Sequence, residues 1–368
     1  MARPQGIRPL ENNMRRNYTW LLFLVYFGIF VVLGVIFYYK YLDQFLLPGA
    51  KPPEVDIVAQ SQIYFSSPDG LYRTNPEYVS TGALINAAEK IQATTSVTSI
   101  DVLPGKTLAY AASNQAGYSE IWQMDLKSNQ SEIIGRTTEN NNFLNFEKPR
   151  FDPSGGKLAY LAKSEQKDTI LINDIESGKT TDLTSAIDTK ISDFSWDKTG
   201  KKIIFCTKNP TSNYCEALET ASGKNLGTFT AEVDQIYWNK GTTLYYLENA
   251  SDTANIYSLS DITDKPVAIT KISNPKTIVD FSLSSDGNTI AYEVKEGGSS
   301  EIYVSKTDGS NLIQLTQDSK SREPQISPDG KLVAFLKEGD GIYLIGVDKL
   351  NEKKLLNLSG EIRLLAWR

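Results

Sequence analysis

Histidine is absent from the 368 residues of the chain. Its absence excludes a Ser-His-Asp triad, a Cys-His pair and a histidine-ligated metal site within this sequence. Positive charge is also in short supply, because 38 lysines and arginines face 44 aspartates and glutamates and leave a formal charge of −6. A surface of this sign repels the phosphates of DNA and RNA, so no nucleic-acid partner is predicted. Phosphate-binding, dinucleotide-binding and EF-hand motifs are missing as well.

Cysteine is nearly absent, since Cys206 and Cys215 are the only two. They lie in one predicted hairpin, on either side of a loop at residues 208–213. Their spacing differs from the C-x-x-C pattern of redox-active pairs. We predict that they form a disulfide, a bond that persists outside the cytoplasm. The alternative is a pair of reduced cysteines, one buried and one exposed.

One long apolar run stands out from the rest of the sequence. Residues 20–39 carry no charge, and as a helix rising about 1.5 Å per residue they would span a hydrocarbon core of about 30 Å. We therefore predict one transmembrane helix at residues 20–40, through which the chain contacts the membrane. A cleaved signal peptide is the alternative, but its apolar run would be shorter and would precede small residues. Here the bulky Tyr38, Tyr39 and Tyr41 end the run.

The residues around the apolar run predict its orientation. Four arginines precede it: Arg3, Arg8, Arg15 and Arg16. Because positive residues favour the inner side of a membrane, we expect residues 1–19 to form a basic cytoplasmic tail. Residues 41–59 contain several prolines and a glycine and are predicted to be a short, stiff spacer. Residues 60–368 would then lie on the outer, extracytoplasmic face of the cytoplasmic membrane.

The remainder of the chain, residues 60–368, repeats a pattern of strands and tight turns. In each copy a strand leads through a turn rich in Pro, Asp or Gly into a second, apolar strand such as Leu332–Phe335. A period in the forties that is built of short strands predicts an all-β fold, a β-propeller with one four-stranded blade per repeat. The turn glycines are separated by 50, 45, 41, 46 and 43 residues and lie at Gly105, Gly155, Gly200, Gly241, Gly287 and Gly330.

The two ends of the repeat region each contain part of a blade. Residues 62–66 and 70–73 have the pattern of a second and a third strand, but no good first strand precedes them. Residues 361–368 have the pattern of a first strand. Pairing of these terminal segments would complete a seventh blade and remove open sheet edges from the ring. We predict a seven-bladed propeller closed in this way; the alternative is six blades with an additional hairpin.

The repeat resembles a known family. Residues Ser327–Phe335, read together with Ile342 and Tyr343, resemble the WD40-like PD40 repeat of TolB-type propellers. Similar repeats occur in the propeller domains of prolyl-oligopeptidase-like and tricorn-like peptidases. The resemblance covers residues about 60–368 and implies the fold and an extracytoplasmic location. TolB-like proteins carry a separate N-terminal α/β domain and a cleavable signal, where this chain has an apolar span and a short spacer, so the resemblance does not transfer their partners.

The sequence does not gather reactive groups into one site. Asp152, Asp286 and Asp329 recur beside turn glycines in different blades, so we predict that they cap the turn backbone and do not form a metal or acid/base site. Gly-Gly-Ser-Ser at 297–300 is predicted to be a turn. We predict no catalytic residues, no cofactor and no metal site. Aromatic residues recurring at one strand position are predicted to pack between blades: Tyr110, Tyr160, Phe205, Tyr246, Tyr292 and Phe335.

One irregular connection is a candidate partner-binding loop. Residues 137–146 carry Phe143, Leu144 and Phe146 among polar residues, and long loops on rigid scaffolds often bind partners. The alternative is that these side chains fix the loop to a neighbouring blade. With no reactive site predicted, we expect a membrane-anchored, non-enzymatic scaffold that binds a protein or peptide. An enzyme or accessory subunit acting on extracellular peptide or glycan is the alternative.

Overall fold

The computed structural model describes residues 61–76, 88–92, 97–139, 141–210, 212–238, 242–250, 253–358 and 360–368. The predicted cytoplasmic tail, transmembrane helix and spacer lie outside these ranges. Within them every helix or strand assigned is a β-strand, and no helix is long and apolar enough to cross a membrane. The prediction of an all-β domain is therefore confirmed for the part of the chain that the structure describes.

Twenty-eight strands are assigned in the described ranges. Three strands begin blade 1: β1 (Ile63–Ser67), β2 (Gly70–Thr74) and β3 (Glu89–Gln92). Blade 2 consists of β4 (Val97–Leu103), β5 (Thr107–Ser113), β6 (Ser119–Asp125) and β7 (Ser131–Arg136). Blade 3 consists of β8 (Asn145–Phe151), β9 (Lys157–Lys163), β10 (Asp168–Asp174) and β11 (Thr180–Asp182). Blade 4 consists of β12 (Ile191–Trp196), β13 (Lys202–Thr207), β14 (Cys215–Glu219) and β15 (Asn225–Phe229).

The second half of the chain continues the same pattern. Blade 5 consists of β16 (Val233–Trp238), β17 (Leu244–Ala250), β18 (Thr253–Leu259) and β19 (Val267–Ala268). Blade 6 consists of β20 (Lys276–Leu283), β21 (Thr289–Glu296), β22 (Ser299–Lys306) and β23 (Ile313–Gln314). Blade 7 consists of β24 (Ser321–Ile326), β25 (Leu332–Lys337), β26 (Gly341–Gly346) and β27 (Lys353–Asn357). The last strand is β28 (Arg363–Trp367).

The strands form seven antiparallel sheets of four, and the chain termini share one of them. Blade 1 has the order β28-β1-β2-β3, while each other blade uses four consecutive strands. Ile63 pairs with Trp367, and the amide of Arg368 donates to the carbonyl of Gln62 at 2.9 Å. Because neighbouring blades pack on each other around the whole ring, from blade 1 through blade 7 and back, the predicted seven-bladed closure is confirmed. The six-bladed alternative is wrong.

The second strand of each blade is apolar because neighbouring blades cover both of its faces. In β9 the residues from Leu158 to Ala162 are all buried, and in β25 the residues from Leu332 to Leu336 are all buried. The prediction that the recurring aromatics pack between blades is confirmed. These side chains are buried at the same strand position in successive blades: Tyr110, Tyr160, Phe205, Tyr246, Tyr292 and Phe335.

In blades 3, 4, 6 and 7 the turn between the first and second strands is capped by a hydroxyl and a carboxylate. In blade 7 the Ser327 hydroxyl donates to Asp329 at 2.7 Å and accepts from the amide of Leu332 at 2.9 Å. In blade 3 the order is reversed: Asp152 accepts from the amide of Lys157 at 2.6 Å and from the hydroxyl of Ser154 at 2.5 Å. The hydroxyl residue comes first in blade 7 and the aspartate comes first in blade 3, and both orders give a hydrogen-bonded turn.

The predicted capping role of the turn aspartates is confirmed. Asp286 accepts from the Ser284 hydroxyl at 2.6 Å and from the amide of Asn288 at 3.0 Å, as Asp152 and Asp329 do in their own turns. Gly330, the residue after Asp329, has a φ of 70°, which glycine adopts without steric cost. Each of these carboxylates is thus occupied by its own turn.

The seven first strands lie side by side around the centre of the ring and are joined by side chain to backbone hydrogen bonds. One set of acceptors takes the amide of the next blade's first strand at 2.7–3.2 Å: Asp101 from Phe151, Asp193 from Ile236, Gln235 from Phe281 and Glu323 from Leu364. Hydroxyls do the same elsewhere, as when Ser282 accepts from Ile326 at 3.0 Å. These bonds fix the register between blades and determine which polar side chains line the central channel.

Candidate functional site

A buried ion pair joins two neighbouring first strands around the centre of the ring. Arg150 on β8 donates through Nη2 to both carboxylate oxygens of Asp193 on β12, at 3.0 and 3.1 Å. Its Nη1 donates to the carbonyl of Ile236 on β16 at 3.2 Å, so one guanidinium joins three blades. Burial alone would raise the pKa of Asp193, but the charges of Arg150 and Lys148 outweigh it and hold the pKa below its ordinary value. This pair is a structural link between blades 3, 4 and 5.

Another sector of the channel wall is acidic. Asp280 on β20 is half-buried and accepts a hydrogen bond from the Gln235 side-chain amide at 2.6 Å. Burial raises the pKa of Asp280 to about 7, and the negative charges of Glu293 and Glu323 add to this effect. The hydrogen bond from Gln235 acts in the opposite direction and lowers the pKa, but it does not outweigh burial. Asp280 therefore exchanges a proton near neutral pH. Among the described residues, no group of three or more Asp, Glu or Cys is arranged to hold a metal ion.

The two ends of the ring differ in what they present. We call the end at which each first strand begins the loop end; it carries the connections between blades and the loops between second and third strands. We call the opposite end, with the turns between first and second strands, the turn end. Lys331 and the capped turn of Asp329 are at the turn end, whereas Lys148 and Lys208 are at the loop end.

A cavity of about 510 Å³ opens at the loop end between blades 3, 4 and 5. We call it the lysine pocket, and its eight lining residues are Lys148, Lys163, Asp168, Lys190, Ile191, Ser192, Lys208 and Asp234. Apart from Lys148, which lies at the bulge of β8, they come from the start of a first strand, the end of a second strand or the start of a third, because all these strand ends meet at the loop end. The cavity thus contains four ammonium groups, although the chain as a whole has a net negative charge.

The backbone positions the lysines of this pocket. Lys148 precedes Pro149 at a bulge in β8 and has a positive φ of 52°. Its ammonium donates to the carbonyl of Ser192 at 2.6 Å and lies 3.3 Å from Asp193. Lys163, at the end of β9, donates to the carbonyl of Ile191 at 2.9 Å. Two of the four ammonium groups are thus held on the start of β12.

The acidic partners of the lysines lie deeper than the lysines themselves. The Asp168 carboxylate is only 1% exposed and contacts Lys163 at 3.3 Å and Lys190 at 3.4 Å. It also accepts from the amide of Ile191 at 2.9 Å. Lys208 lies at the rim with a side chain that is 61% exposed, 3.2 Å from Asp234. The exposed part of the pocket is therefore formed by the ammonium groups and by Asp234, which is 35% exposed, while Asp168 lies beneath them.

The structure separates the three residues of the candidate partner-binding loop. Phe146 lies within β8 and is buried, with its ring 5.2 Å from that of Tyr160. Phe143 is half-buried against Phe146 at 5.5 Å. These two side chains pack the loop against its blade, and the partner-binding role of the loop stays a prediction. Only Leu144 is exposed, at 61%, and it lies at the loop end.

The predicted hairpin of the two cysteines is also at the loop end. Cys206 on β13 and Cys215 on β14 are directly opposite each other, and the structure joins their sulfurs in a disulfide. Both residues are buried. The loop that the disulfide closes carries Lys208, so the covalent link is placed at the base of one rim of the lysine pocket.

Sequence reasoning missed the lysine pocket and the acidic sector of the channel. The lysines are separated by 15, 27 and 18 residues along the chain, with no periodic spacing: Lys148, Lys163, Lys190 and Lys208. The available signal was positional: Lys163, Lys190 and Lys208 lie at strand ends that belong to the same end of the ring, and Lys148 lies at the bulge of β8. Using that signal requires the blade boundaries and the strand register.

Comparison with known families gives one match of substantial length. The family model described as the TolB beta propeller domain (PD40) matches residues 148–368, which is more than half of the chain. No curated protein matches the sequence. The family match begins within β8 of blade 3 and includes the rest of that blade, blades 4 to 7 and the closing strand β28.

Solved structures with the same fold include a TolB protein and enzymes, all only distantly similar in sequence. TolB from Acinetobacter baumannii aligns with a TM-score of 0.52 and 18% identity over 72% of this chain and 68% of that one. An oligogalacturonate lyase from Vibrio parahaemolyticus aligns with a TM-score of 0.54 and 12% identity over 70% and 76%. A prolyl endopeptidase aligns with a TM-score of 0.59 and 12% identity over 84% of this chain but 51% of its own. At these identities the likeness establishes the fold alone.

Proposed function

Because this chain belongs to the TolB-type β-propeller family, we propose that it is a non-enzymatic scaffold that binds a protein or peptide at the loop end of its ring. The observation that carries the proposal is the lysine pocket, a cavity of about 510 Å³ between three blades. A volume of this size is typical of ligand sites. The walls are strand ends within a closed ring, so a partner would meet a surface that is already ordered.

Two further features of the loop end support a binding role. Leu144 exposes most of its apolar side chain there, and the disulfide between Cys206 and Cys215 fixes the hairpin that carries Lys208. A preformed surface lowers the entropic cost of association, because fewer groups become ordered when a partner binds. The turn end, by contrast, has its turn carboxylates occupied by their own backbone.

We propose that the scaffold acts outside the cytoplasm and is anchored in the cytoplasmic membrane by residues 20–40. The support is the uncharged run of residues 20–39, the arginines that precede it and a cysteine pair suited to an oxidising compartment. In this arrangement residues 1–19 are cytoplasmic and the propeller is displayed on the outer surface. The partner would then be a periplasmic, cell-wall or extracellular protein or peptide.

Site-specific photo-crosslinking in intact cells tests the scaffold proposal. A photoreactive phenylalanine derivative replaces Pro210, which is exposed in the hairpin loop at the loop end. The matched control carries the same group at Ala221, which is exposed at the turn end of the same blade. We expect a discrete protein adduct from position 210 and none from position 221. Adducts of equal yield from both positions, or none from position 210, would contradict the proposal.

One observation favours the alternative of an enzyme or accessory subunit acting on peptide or glycan. Asp280, on the first strand β20, has a pKa raised to about 7 by burial, a property that suits a general acid. Hydrolysis or elimination activity toward peptides and oligosaccharides, abolished by Asp280→Asn with the fold intact, would support the enzyme. Absence of any such activity in the full chain would leave the scaffold as the better account.

A further inference from the structure

We infer that the lysine pocket binds the carboxylates of an acidic peptide segment, an inference that rests on the proposed scaffold function and specifies its partner. The chain as a whole is negative, so a cavity lined by four lysines and two aspartates is a local reversal of charge. Such a reversal steers and holds a ligand of opposite sign.

Several N–H donors of the lysines in the pocket have no acceptor among the described residues. Each ammonium group carries three N–H donors. Lys163 is saturated, because it contacts Glu147, Asp168 and the carbonyl of Ile191. Among the described residues, Lys148 and Lys190 each contact two acceptors. The two ammonium groups therefore retain one donor each for a bound anion.

Lys208 offers still more capacity. Its only partner among the described residues is Asp234, at 3.2 Å, so two N–H donors remain. Carboxylates are acceptor-only groups with room for several donors, and a charged donor on a carboxylate makes a strong hydrogen bond. Lys148, Lys190 and Lys208 therefore form a set of unsaturated cations around one cavity.

Two of the carboxylates that contact these lysines are buried beneath them, so the ammonium groups are nearer to solvent. Asp168 is buried under Lys163 and Lys190, and Asp193 is buried under Lys148. These carboxylates hold the lysines in place and remain covered. An incoming carboxylate therefore meets the ammonium groups of Lys148 and Lys190 with their partner carboxylates covered, whereas Asp234 is 35% exposed beside Lys208. The side chains of Lys148 and Lys190 have already lost part of their rotational freedom to the backbone carbonyls they contact.

The lining favours a peptide over an acidic glycan. Sugar rings present apolar faces that pack on aromatic side chains, and none of the eight lining residues is aromatic. Ile191 is the only apolar one. Carboxylates carried on short, flexible side chains suit this cavity better than carboxylates on rigid rings.

The test measures binding of a fluorescein-labelled hexaglutamate peptide to the full chain in detergent. Fluorescence anisotropy gives the Kd, with hexalysine and oligogalacturonate as comparison probes. We expect hexaglutamate to bind, hexalysine not to bind, and added salt to weaken the complex because exposed charges are screened. Lys208→Gln and Lys190→Gln should each weaken binding about threefold to fivefold, and Lys208→Arg should restore it.

The matched control is Lys331→Gln at the turn end. Lys331 resembles Lys208 in exposure, 60% against 61%, and in having one aspartate at 3.4 Å against 3.2 Å. Its removal should leave the Kd unchanged. Equal weakening by Lys331→Gln, no weakening by Lys208→Gln, or tighter binding of oligogalacturonate than of hexaglutamate would overturn the inference.

The two proposals fail in different ways. If photo-crosslinking from position 210 captures a protein and Lys208→Gln with Lys190→Gln leaves its yield unchanged, the scaffold stands and the acidic-peptide inference is wrong. If hexaglutamate binds as expected and crosslinking captures nothing, the pocket chemistry is supported and the scaffold proposal fails. Melting temperatures of all variants establish that the changes in Kd do not come from loss of fold.

Discussion

The indole Nε1 of Trp367 donates a hydrogen bond to the hydroxyl of Ser61 at 3.1 Å, joining residues 306 positions apart. Both residues are buried. This contact lies where β28 meets β1, so the final strand is part of a blade and its loss would open the ring. We expect Trp367→Ala to reduce the free energy of unfolding by about 3–5 kcal/mol, measured by urea denaturation.

A tryptophan at the corresponding strand position of another blade is the control for this prediction. Trp238, at the end of β16, is half-buried and donates to the carbonyl of Thr242 within its own blade. Trp238→Ala should cost less, because the residue is less buried and joins no terminal strand. Deletion of residues 361–368 should lower stability further than either substitution; an unchanged melting temperature would show that closure contributes nothing.

Asp280 should make the stability of the propeller depend on pH. Its pKa is about 7 when folded and 3.8 in the ordinary state. Between these values the folded protein holds a proton that the unfolded chain has released, so stability falls as pH rises from about 4 to 7. We expect Asp280→Asn to stabilise the protein by a few kcal/mol, of the order of 2–4, at pH 8, and to have little effect at pH 4.

Asp286 provides a control of opposite sign for the pH experiment. Hydrogen bonds from Ser284 and Asn288 outweigh the effect of partial burial and lower the pKa of this carboxyl. Its contribution is therefore present above its ordinary pKa and is lost as pH falls below it. Asp286→Asn should destabilise at pH 8. Thermal denaturation across pH 4–8 distinguishes the two, and a parallel response of both variants would refute the assignment of Asp280.

The disulfide should stabilise the hairpin at the base of the pocket rim. Cys206 and Cys215 are separated by 9 residues, and closing a loop of that length contributes roughly 2–3 kcal/mol in the chain-entropy model. We expect the double variant Cys206→Ala, Cys215→Ala to unfold at lower denaturant by that amount. Reductant should lower the stability of the parent protein and leave the double variant unchanged. Equal sensitivity of both proteins would argue against the bond.

The loop that leads into β8 offers a pair of variants with separable effects. Phe146 is buried against Tyr160, so Phe146→Ala should cost about 3 kcal/mol or more of stability. Leu144 is exposed, so Leu144→Asp should leave the melting temperature nearly unchanged. If the loop contributes to the partner surface, Leu144→Asp should reduce the crosslinking yield from position 210. A large loss of stability from Leu144→Asp would contradict the structural assignment.

The topology prediction has its own measurement. Protease added to right-side-out vesicles should degrade residues 60–368 and spare an epitope tag placed on the N-terminal tail. Inverted vesicles should give the reverse pattern, which serves as the control. Protection of the propeller in right-side-out vesicles would place it in the cytoplasm and would remove the basis for an extracytoplasmic partner.

The fold was largely predictable because its determinants are local and repeated. A turn such as Ser327–Gly330 specifies a chain reversal by its own hydrogen bonds, and six recurring glycines specify how many times this happens. The closure followed from simple completion of a partial blade. The burial of the recurring aromatics followed from their common strand position, which in a propeller faces the next blade.

The lysine pocket was not predictable because its residues are brought together by bulges and blade register. The positive φ of Lys148 directs that side chain, and the equivalent residue before a proline in β24, Glu323, has nearly the same φ of 53°. One places a cation at the pocket, and the other places an acceptor against the amide of Leu364. Nothing in the pattern of strands and turns specifies that either residue adopts this conformation.

The exchange of Ser and Asp between the two capping positions affects how such repeats are detected. A profile that scores each column independently penalises Asp152–Ser154 for differing from Ser327–Asp329, although both pairs close the same turn. Scoring the two columns jointly, as a hydroxyl and a carboxylate in either order, would give blades 3 and 7 equal weight. In blade 2 the corresponding residues, Leu103–Thr107, contain no such carboxylate, and the family match starts only after that blade, at residue 148. The feature that the turns of blades 3, 4, 6 and 7 share is the bonded hydroxyl–carboxylate pair, and neither residue type at a fixed position describes all four.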